Sequence, residues 1–276
     1  MKSTGFRLSV ILSMFLLVIF ASGTAQAALP EWLDSPKENV IVIGGTDDPQ
    51  AKDQLGRMDG WTDDSHNVKV VEYPAEFFPI GKMPYDQSVE VGKANLRQEI
   101  EQTEGPKTVV GMSQSARIVG DVAEEYDSSE NADDLEVILL ADPRFPSTGA
   151  EEVLDGMSLL GATATGERQP TQYVRSTSVC IKGDPVCGMG GHPANILPGF
   201  ICIHSGGCPG SNANYGHLDE LEVSNTWQEG ETTYVEMDAP HPWRIVAESA
   251  GVPVTDEQEE ILHVTMPVPE PGESLY

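Results

Sequence analysis

The sequence predicts an α/β fold, a central and mostly parallel sheet with helices on both faces, and three observations predict it. Short runs of β-branched and aliphatic residues recur through the first two thirds of the chain. Segments with apolar residues at helical spacing lie between them. Several of the runs stop at glycine or proline, as buried strands do. Alternation at such short intervals favours parallel strands joined by helical crossovers.

Taken in order, Asn39-Val40-Ile41-Val42-Ile43 ends at Gly44-Gly45 and reads as a buried strand. A second run covers 68–71 and stops at Tyr73-Pro74. From 86 to about 103, Val89, Val91, Ala94, Leu96 and Ile100 recur at helical spacing. Residues 108–110 form a short strand that runs into Gly111-Met112-Ser113. A helix starts there at once, with Ala116, Val119, Val122 and Ala123 on one face. The run 135–141 is another buried strand, closed by Asp142-Pro143, and 173–181 is a further one. Beyond Pro185 the pattern gives way to a loop rich in Gly, Pro and Asn. Regularity returns at 232–237 and in a helix from 255 to about 262. The end, 267–276, is rich in Pro and Glu and reads as a loose tail. With no repeat and no linker, 28–266 is expected to be one domain.

The first 27 residues stand apart. Lys2 and Arg7 precede an apolar run, 8–23, and Ala25-Gln26-Ala27 follows with small residues at cleavage spacing. That is the layout of a secretory signal peptide, 1–27. The run is short for a ~30 Å hydrocarbon core, so export is expected rather than anchoring, with no membrane span after cleavage. The full chain carries 16 basic and 44 acidic residues, a formal charge of −28. A field of that sign repels phosphate backbones and argues against nucleic-acid partners. The low lysine content and acidic excess together predict a protein that stays soluble in salt. All four cysteines fall between Cys180 and Cys208. An even count in an exported chain favours disulfides. Sequential pairing, Cys180 with Cys187 and Cys202 with Cys208, closes two tight loops, each contributing roughly 2–3 kcal/mol. Zinc is the rival, but no CxxC pair is present.

The sharpest local feature is Val109-Val110-Gly111-Met112-Ser113-Gln114-Ser115-Ala116-Arg117. A buried strand delivers a serine to a sharp turn from which a helix departs. This is the nucleophile-elbow pattern, in which a strained turn lifts the hydroxyl above the sheet. Ser115 stands where a second glycine is usual, and its small size suits the position. The helix N-terminus offers free N–H groups to a developing oxyanion. One donor is expected at Gln114. The other is expected in the Gly44-Gly45-Thr46 loop, at Thr46. No GxxxxGK[ST] pattern follows Gly44-Gly45, so a phosphate loop is not implied.

A serine hydroxyl needs a base, and the base needs an acid to orient it. The expected chain order is Ser, Asp or Glu, then His. Asp184 lies in Cys180-Ile181-Lys182-Gly183-Asp184-Pro185-Val186-Cys187, after a strand and inside a loop that a disulfide would hold. It is the preferred acid, with Asp142 as rival. His192, His204, His217, His241 and His263 all follow it. His204, after Phe200-Ile201-Cys202-Ile203 and within the second disulfide loop, is preferred as base. His217, in Asn214-Tyr215-Gly216-His217-Leu218, remains the competitor.

These segments resemble the PE-PPE domain, a cutinase-like branch of the serine α/β hydrolases. The resemblance lies in Val42-Ile43-Gly44-Gly45-Thr46, Tyr73-Pro74-Ala75-Glu76, Tyr85-Asp86-Gln87-Ser88-Val89, Gly111-Met112-Ser113-Gln114-Ser115-Ala116, Asp142-Pro143-Arg144 and Gly183-Asp184-Pro185. Thr232-Thr233-Tyr234 with Pro242 is similar to the end of that domain, so the likeness runs from about 39 to about 250. It implies an α/β-hydrolase-like fold, Ser113 as nucleophile, Asp184 as acid and ester hydrolysis. It places the histidine after a short apolar stretch, which Gly199-Phe200-Ile201-Cys202-Ile203-His204 matches. The tyrosine it places three residues after that histidine is replaced by Gly207, which keeps His217 in play.

The expectation is a secreted, metal-independent serine esterase that needs no cofactor and takes a small-molecule or lipid ester. Short to medium acyl chains are implied by the resemblance alone. An acyltransferase or a lipid or polyester hydrolase on the same machinery is the alternative. A catalytically silent binding protein on a hydrolase scaffold is the reading from another class.

Overall fold

The computed structural model describes residues 28–273. The expected signal peptide, 1–27, lies outside them, as do the last three residues. The first strand, β1 (Asn39–Ile43), begins the sheet. It is followed by α1 (Lys52–Arg57), β2 (Asn67–Val70), α2 (Tyr85–Gln102), β3 (Lys107–Met112), α3 (Gln114–Tyr126) and β4 (Leu135–Leu140). Then come α4 (Ala150–Val153) and a small antiparallel hairpin, β5 (Ser158–Leu159) with β6 (Ala162–Thr163). The sheet resumes with β7 (Arg175–Ile181). After it come α5 (Ile196–Gly199), β8 (Val223–Glu229), β9 (Thr232–Met237), α6 (Pro242–Ser249) and α7 (Asp256–Thr265).

Seven strands form the central sheet in the order β2-β1-β3-β4-β7-β9-β8. Every neighbouring pair is parallel except the β8–β9 hairpin. Side chains on a strand alternate between faces, and both faces here are covered, so β1, β3 and β4 each carry a short continuous apolar run, 40–43, 109–110 and 137–140. Val40, Val42, Val110, Met112, Ile138 and Leu140 point into one core with Trp61, Phe145, Ile203 and Ile245. Ile41, Ile43, Val109, Val137 and Leu139 point into the other, where Leu96 and Ile100 of α2 meet Ile118, Val119 and Val122 of α3. Helices therefore lie on both faces, as the sequence predicts.

The chain leaves β1 for β2 on one side and returns to place β3 on the other. At such a reversal the loops beyond the C-terminal strand ends diverge and open a crevice, the usual site of chemistry in this architecture. The Gly44-Gly45-Thr46 loop leaves β1 there, and Ser113 leaves β3 beside it.

The structure departs from expectation in three places. The loop expected after Pro185 contains α5, a wide π-type turn over Phe200–His204, and the strand β8. Strand β8 lies at the sheet edge and is largely exposed, so it lacks the apolar alternation that marks a strand. Helices α1 and α6 and the β5–β6 hairpin also go beyond the sequence reading; α6 starts at Pro242, a favoured first helical residue. The segment 267–273, expected to trail, is tied down instead. His192 N–H donates to Pro267 O at 3.0 Å, Gly272 N–H to Thr148 Oγ1 at 3.0 Å, and Lys182 pairs with Glu270. Pro269 and Pro271 are buried. Among the described residues no helix is long and apolar enough to cross a membrane.

Candidate active site

Ser113 occupies the junction of β3 and α3 with φ 61° and ψ −124°, a conformation that L-residues rarely adopt. The sheet and the helix hold it there together. Its N–H donates to Leu140 O of β4 at 2.9 Å, and its carbonyl accepts from Arg117 N–H of α3 at 3.1 Å. Two residues before it, a Cβ on Gly111 would lie 2.6 Å from the Ser115 carbonyl oxygen, so no side chain fits. Ser115 binds the turn itself. Its hydroxyl accepts from Met112 N–H at 2.8 Å and donates to Met112 O at 2.9 Å, fully buried. A glycine at this position could make neither bond.

The imidazole of His204 faces the serine, with Nε2 at 3.0 Å from Ser113 Oγ. Its Nδ1 lies 3.1 and 3.0 Å from the two carboxylate oxygens of Asp184. A carboxylate against Nδ1 keeps the proton on that nitrogen, which leaves Nε2 to accept from a hydroxyl. Asp184 is wholly buried. Besides His204, its Oδ1 accepts from Val186 N–H at 2.9 Å and its Oδ2 from the Tyr215 hydroxyl at 2.8 Å. Every buried lone pair in use is matched by a donor, as a buried charge requires.

Two disulfides hold these loops: Cys180–Cys187 brackets Asp184, and Cys202–Cys208 brackets His204. All four cysteines are consumed in them, so no thiolate remains for zinc. The loops also pack on each other. A Cβ on Gly199 would sit 2.1 Å from Gly183 O, so glycine allows the segment before His204 to lie directly on the Asp184 loop. Phe200 stacks on the imidazole at 4.9 Å between ring centres.

Around the serine, the Gln114 side chain is immobilised. Its Nε2 donates to Glu76 O at 3.0 Å, and its Oε1 lies 3.1 Å from the Tyr73 hydroxyl, which donates to Gly44 O at 2.7 Å. As the first residue of α3, Gln114 has a backbone N–H with no partner inside the helix. In the β1 loop, Asp47 N–H is used by Ala75 O and Asp48 N–H by Gly45 O. Among the described residues no hydrogen bond engages the Thr46 N–H. The loop packs on the elbow, a Cβ on Gly45 falling 3.6 Å from Ser113 Cβ.

The other histidines and the rival acid are occupied elsewhere. His217 Nδ1 pairs with Glu220 at 3.1 Å, one helical turn on, and it is His204 that meets Ser113. His192 and His241 cap helical turns by accepting from Ala194 and Trp243 N–H. Burial holds His241 below the usual imidazole range. His263 lies edge-on to His241 and near Glu259. Asp142 is buried against Arg168, whose Nε donates to it at 2.6 Å. That arginine also meets Asp121, which burial alone would raise but which Arg168 and Arg117 together hold down to about 2. Tyr215 is the site residue that the sequence reading passes over. Its one signal is a large aromatic with a polar tip inside a segment otherwise rich in Gly and Asn.

Comparison with known proteins follows this geometry. The PE-PPE domain matches residues 64–236. A relative from Corynebacterium glutamicum, described as a carboxylesterase Culp6 homolog, is 31% identical over 223 residues, covering 68% of this chain and 70% of that protein. A solved structure described as RedJ with a PEG molecule bound in the active site covers 89% of this chain and 98% of its own, at 12% identity and a TM-score of 0.35.

Proposed function

The chain belongs to the PE-PPE domain family, and on that premise we propose that it is a secreted serine carboxylic ester hydrolase working through Ser113, His204 and Asp184. The observation that carries the reading is the unbroken relay from Asp184 through His204 to Ser113, with 3.0 Å at its last step. The relative described as a carboxylesterase supports the reaction class.

In this reading His204 Nε2 takes the Ser113 proton as Oγ attacks the ester carbonyl. The oxyanion rests on the N–H groups of Gln114 and Thr46. Asp184 holds Nδ1–H and steadies the imidazolium. Collapse expels the alcohol, protonated from Nε2, and leaves Ser113 acylated. Water, deprotonated by the same nitrogen, then releases the acid. Two disulfides suit an exported protein. In the proposed boundaries the hydrolase domain starts at 28, and the strap 267–273 packs against it.

Ester substrates with lipid or polyester character are a second reading of the same chemistry. It draws on exposed apolar residues beside the site: Phe200 on the imidazole, and Phe77, Phe78 and Ile80 in the loop whose Glu76 receives Gln114. Rates on p-nitrophenyl esters of rising chain length separate it from a preference for short acyl groups.

The test is a fluorophosphonate probe, which reacts only with an activated serine. Labelling at Ser113 and hydrolysis of p-nitrophenyl butyrate are expected, and Ser113→Ala should lower kcat by at least about 10³-fold. Full activity in that variant, or no labelling of the native protein, sinks the proposal.

A further inference from the structure

Tyr215 stands outside the three residues of the relay, and no atom of it is bonded to Ser113 or to either ring nitrogen of His204. Its phenol is nonetheless the closest hydroxyl to the acid. It donates to Asp184 Oδ2 at 2.8 Å and accepts from Ile181 N–H at 3.2 Å. Ile181 is the last residue of β7. The hydroxyl therefore bridges the rigid end of the sheet to a carboxylate that sits in an irregular loop.

The bonding around Asp184 is symmetric. Val186 N–H takes Oδ1, Tyr215 takes Oδ2, and Nδ1 of His204 lies almost equally close to both. A carboxylate held by one outer donor is free to swing about its Cβ–Cγ bond; held by two, it presents both oxygens to the imidazole. We propose that Tyr215 is a positioning residue for this site, fixing the rotamer and moderating the charge of Asp184 and, through it, the basicity of His204. The proposal rests on the relay assigned above.

The surroundings favour a donor role. Tyr215 is buried, and burial with the adjacent Asp184 pushes its phenol well above the ordinary range, so it stays protonated throughout any assay. The charged group that faces it is Asp184. The other groups against it are the Ile181 amide, the disulfide-bonded Cys187 sulfur at 3.4 Å and, edge-on, the ring of His204.

Tyr215→Phe keeps the ring and removes the bridge. The carboxylate then holds more of its charge for the imidazolium, so the His204 proton is bound more tightly. The acidic limb of kcat/KM should move up by roughly half a pH unit. With p-nitrophenyl butyrate, kcat should fall by about tenfold with KM within about twofold. In an Asp184→Asn background the same change should slow phosphonate labelling by less than about twofold, because its effect runs through Asp184. Incorporation of 3,5-difluorotyrosine at 215 keeps the fold and the hydroxyl but strengthens the donor, and should move the limb down. An unmoved limb in both variants, or full additivity with Asp184→Asn, overturns the proposal and leaves Tyr215 a packing residue. Failure of the native protein to label at Ser113 overturns the underlying relay instead, so the two failures are told apart.

Discussion

The two sides of the site are built in different ways. Ser113 is delivered by β3 and α3, between parallel strands in register and a helix that begins at the next residue. Asp184 and His204 are carried by segments outside the strands, one in a loop and one at the end of a π-type turn. A covalent link closes each of these: Cys180–Cys187 around Asp184 and Cys202–Cys208 around His204. Ser113 thus takes its position from burial and backbone hydrogen bonds that the whole sheet shares. Asp184 and His204 take theirs from short covalent loops, a phenol and the strap at 267–273. The first arrangement is cooperative with global folding; the second can fail by itself.

The sharpest way to break that comparison is to open one staple. Replacing Cys202 and Cys208 by Ala frees the segment around His204 while leaving every sheet strand intact. A shift of about 1 Å in a catalytic group can cost on the order of 10²-fold. The double variant should therefore lose about 100-fold in kcat/KM on a p-nitrophenyl ester while its far-UV circular dichroism stays native. Retention of activity would show that packing alone, through Phe200 and Gly199, holds the imidazole. Loss of the dichroism signal would show that the two sides are not separable.

The same contrast explains what was legible in the amino-acid sequence. Strands β1, β3 and β4 are buried on both faces over nearly their whole length, so each carries a short apolar run (40–43, 109–110 and 137–140), and the elbow announces itself between one such run and a helical pattern. Asp184 stands out as well, because cysteines bracket it. The sequence leaves His204 and His217 as competitors, since what brings His204 to Ser113 is the register of a π-type turn, which leaves no periodic mark. Tyr215 was illegible because its partner lies 31 residues away and no local pattern links them. The strap failed to read for a similar reason. A Pro- and Glu-rich stretch has the composition of a free tail, and only the tertiary pairing of Glu270 with Lys182 and the seating of Pro269 and Pro271 show otherwise.

A smaller effect should come from the elbow. Ser115→Ala leaves the Met112 N–H without the hydroxyl that accepts from it in a buried turn. The cost is about 1–3 kcal/mol, a few degrees in Tm for a chain of this length. Because the sheet positions Ser113 on both sides, phosphonate labelling of the folded variant should fall by less than tenfold. A stable but inert Ser115→Ala protein would mean that the elbow is as fragile as the loops, and the contrast would be lost.

The smallest effect should come from His217, and its size decides how much of the second side belongs to the site. Its imidazole is partly exposed and paired within one helical turn to Glu220, itself on the surface. Such a pair contributes at most about 1 kcal/mol. His217→Ala should keep kcat/KM within about twofold, whereas His204→Ala should lower kcat by about 10³-fold or more. If the pair were exchanged, with His217→Ala inactive and His204→Ala active, the loop carrying Tyr215 would have to swing toward Ser113 during turnover. Tyr215 would then release both Asp184 and the end of β7, so the acid would lose its bridge in the same motion that brought the new base. In the structure Asp184 engages the imidazole of His204, while that of His217 stays with Glu220.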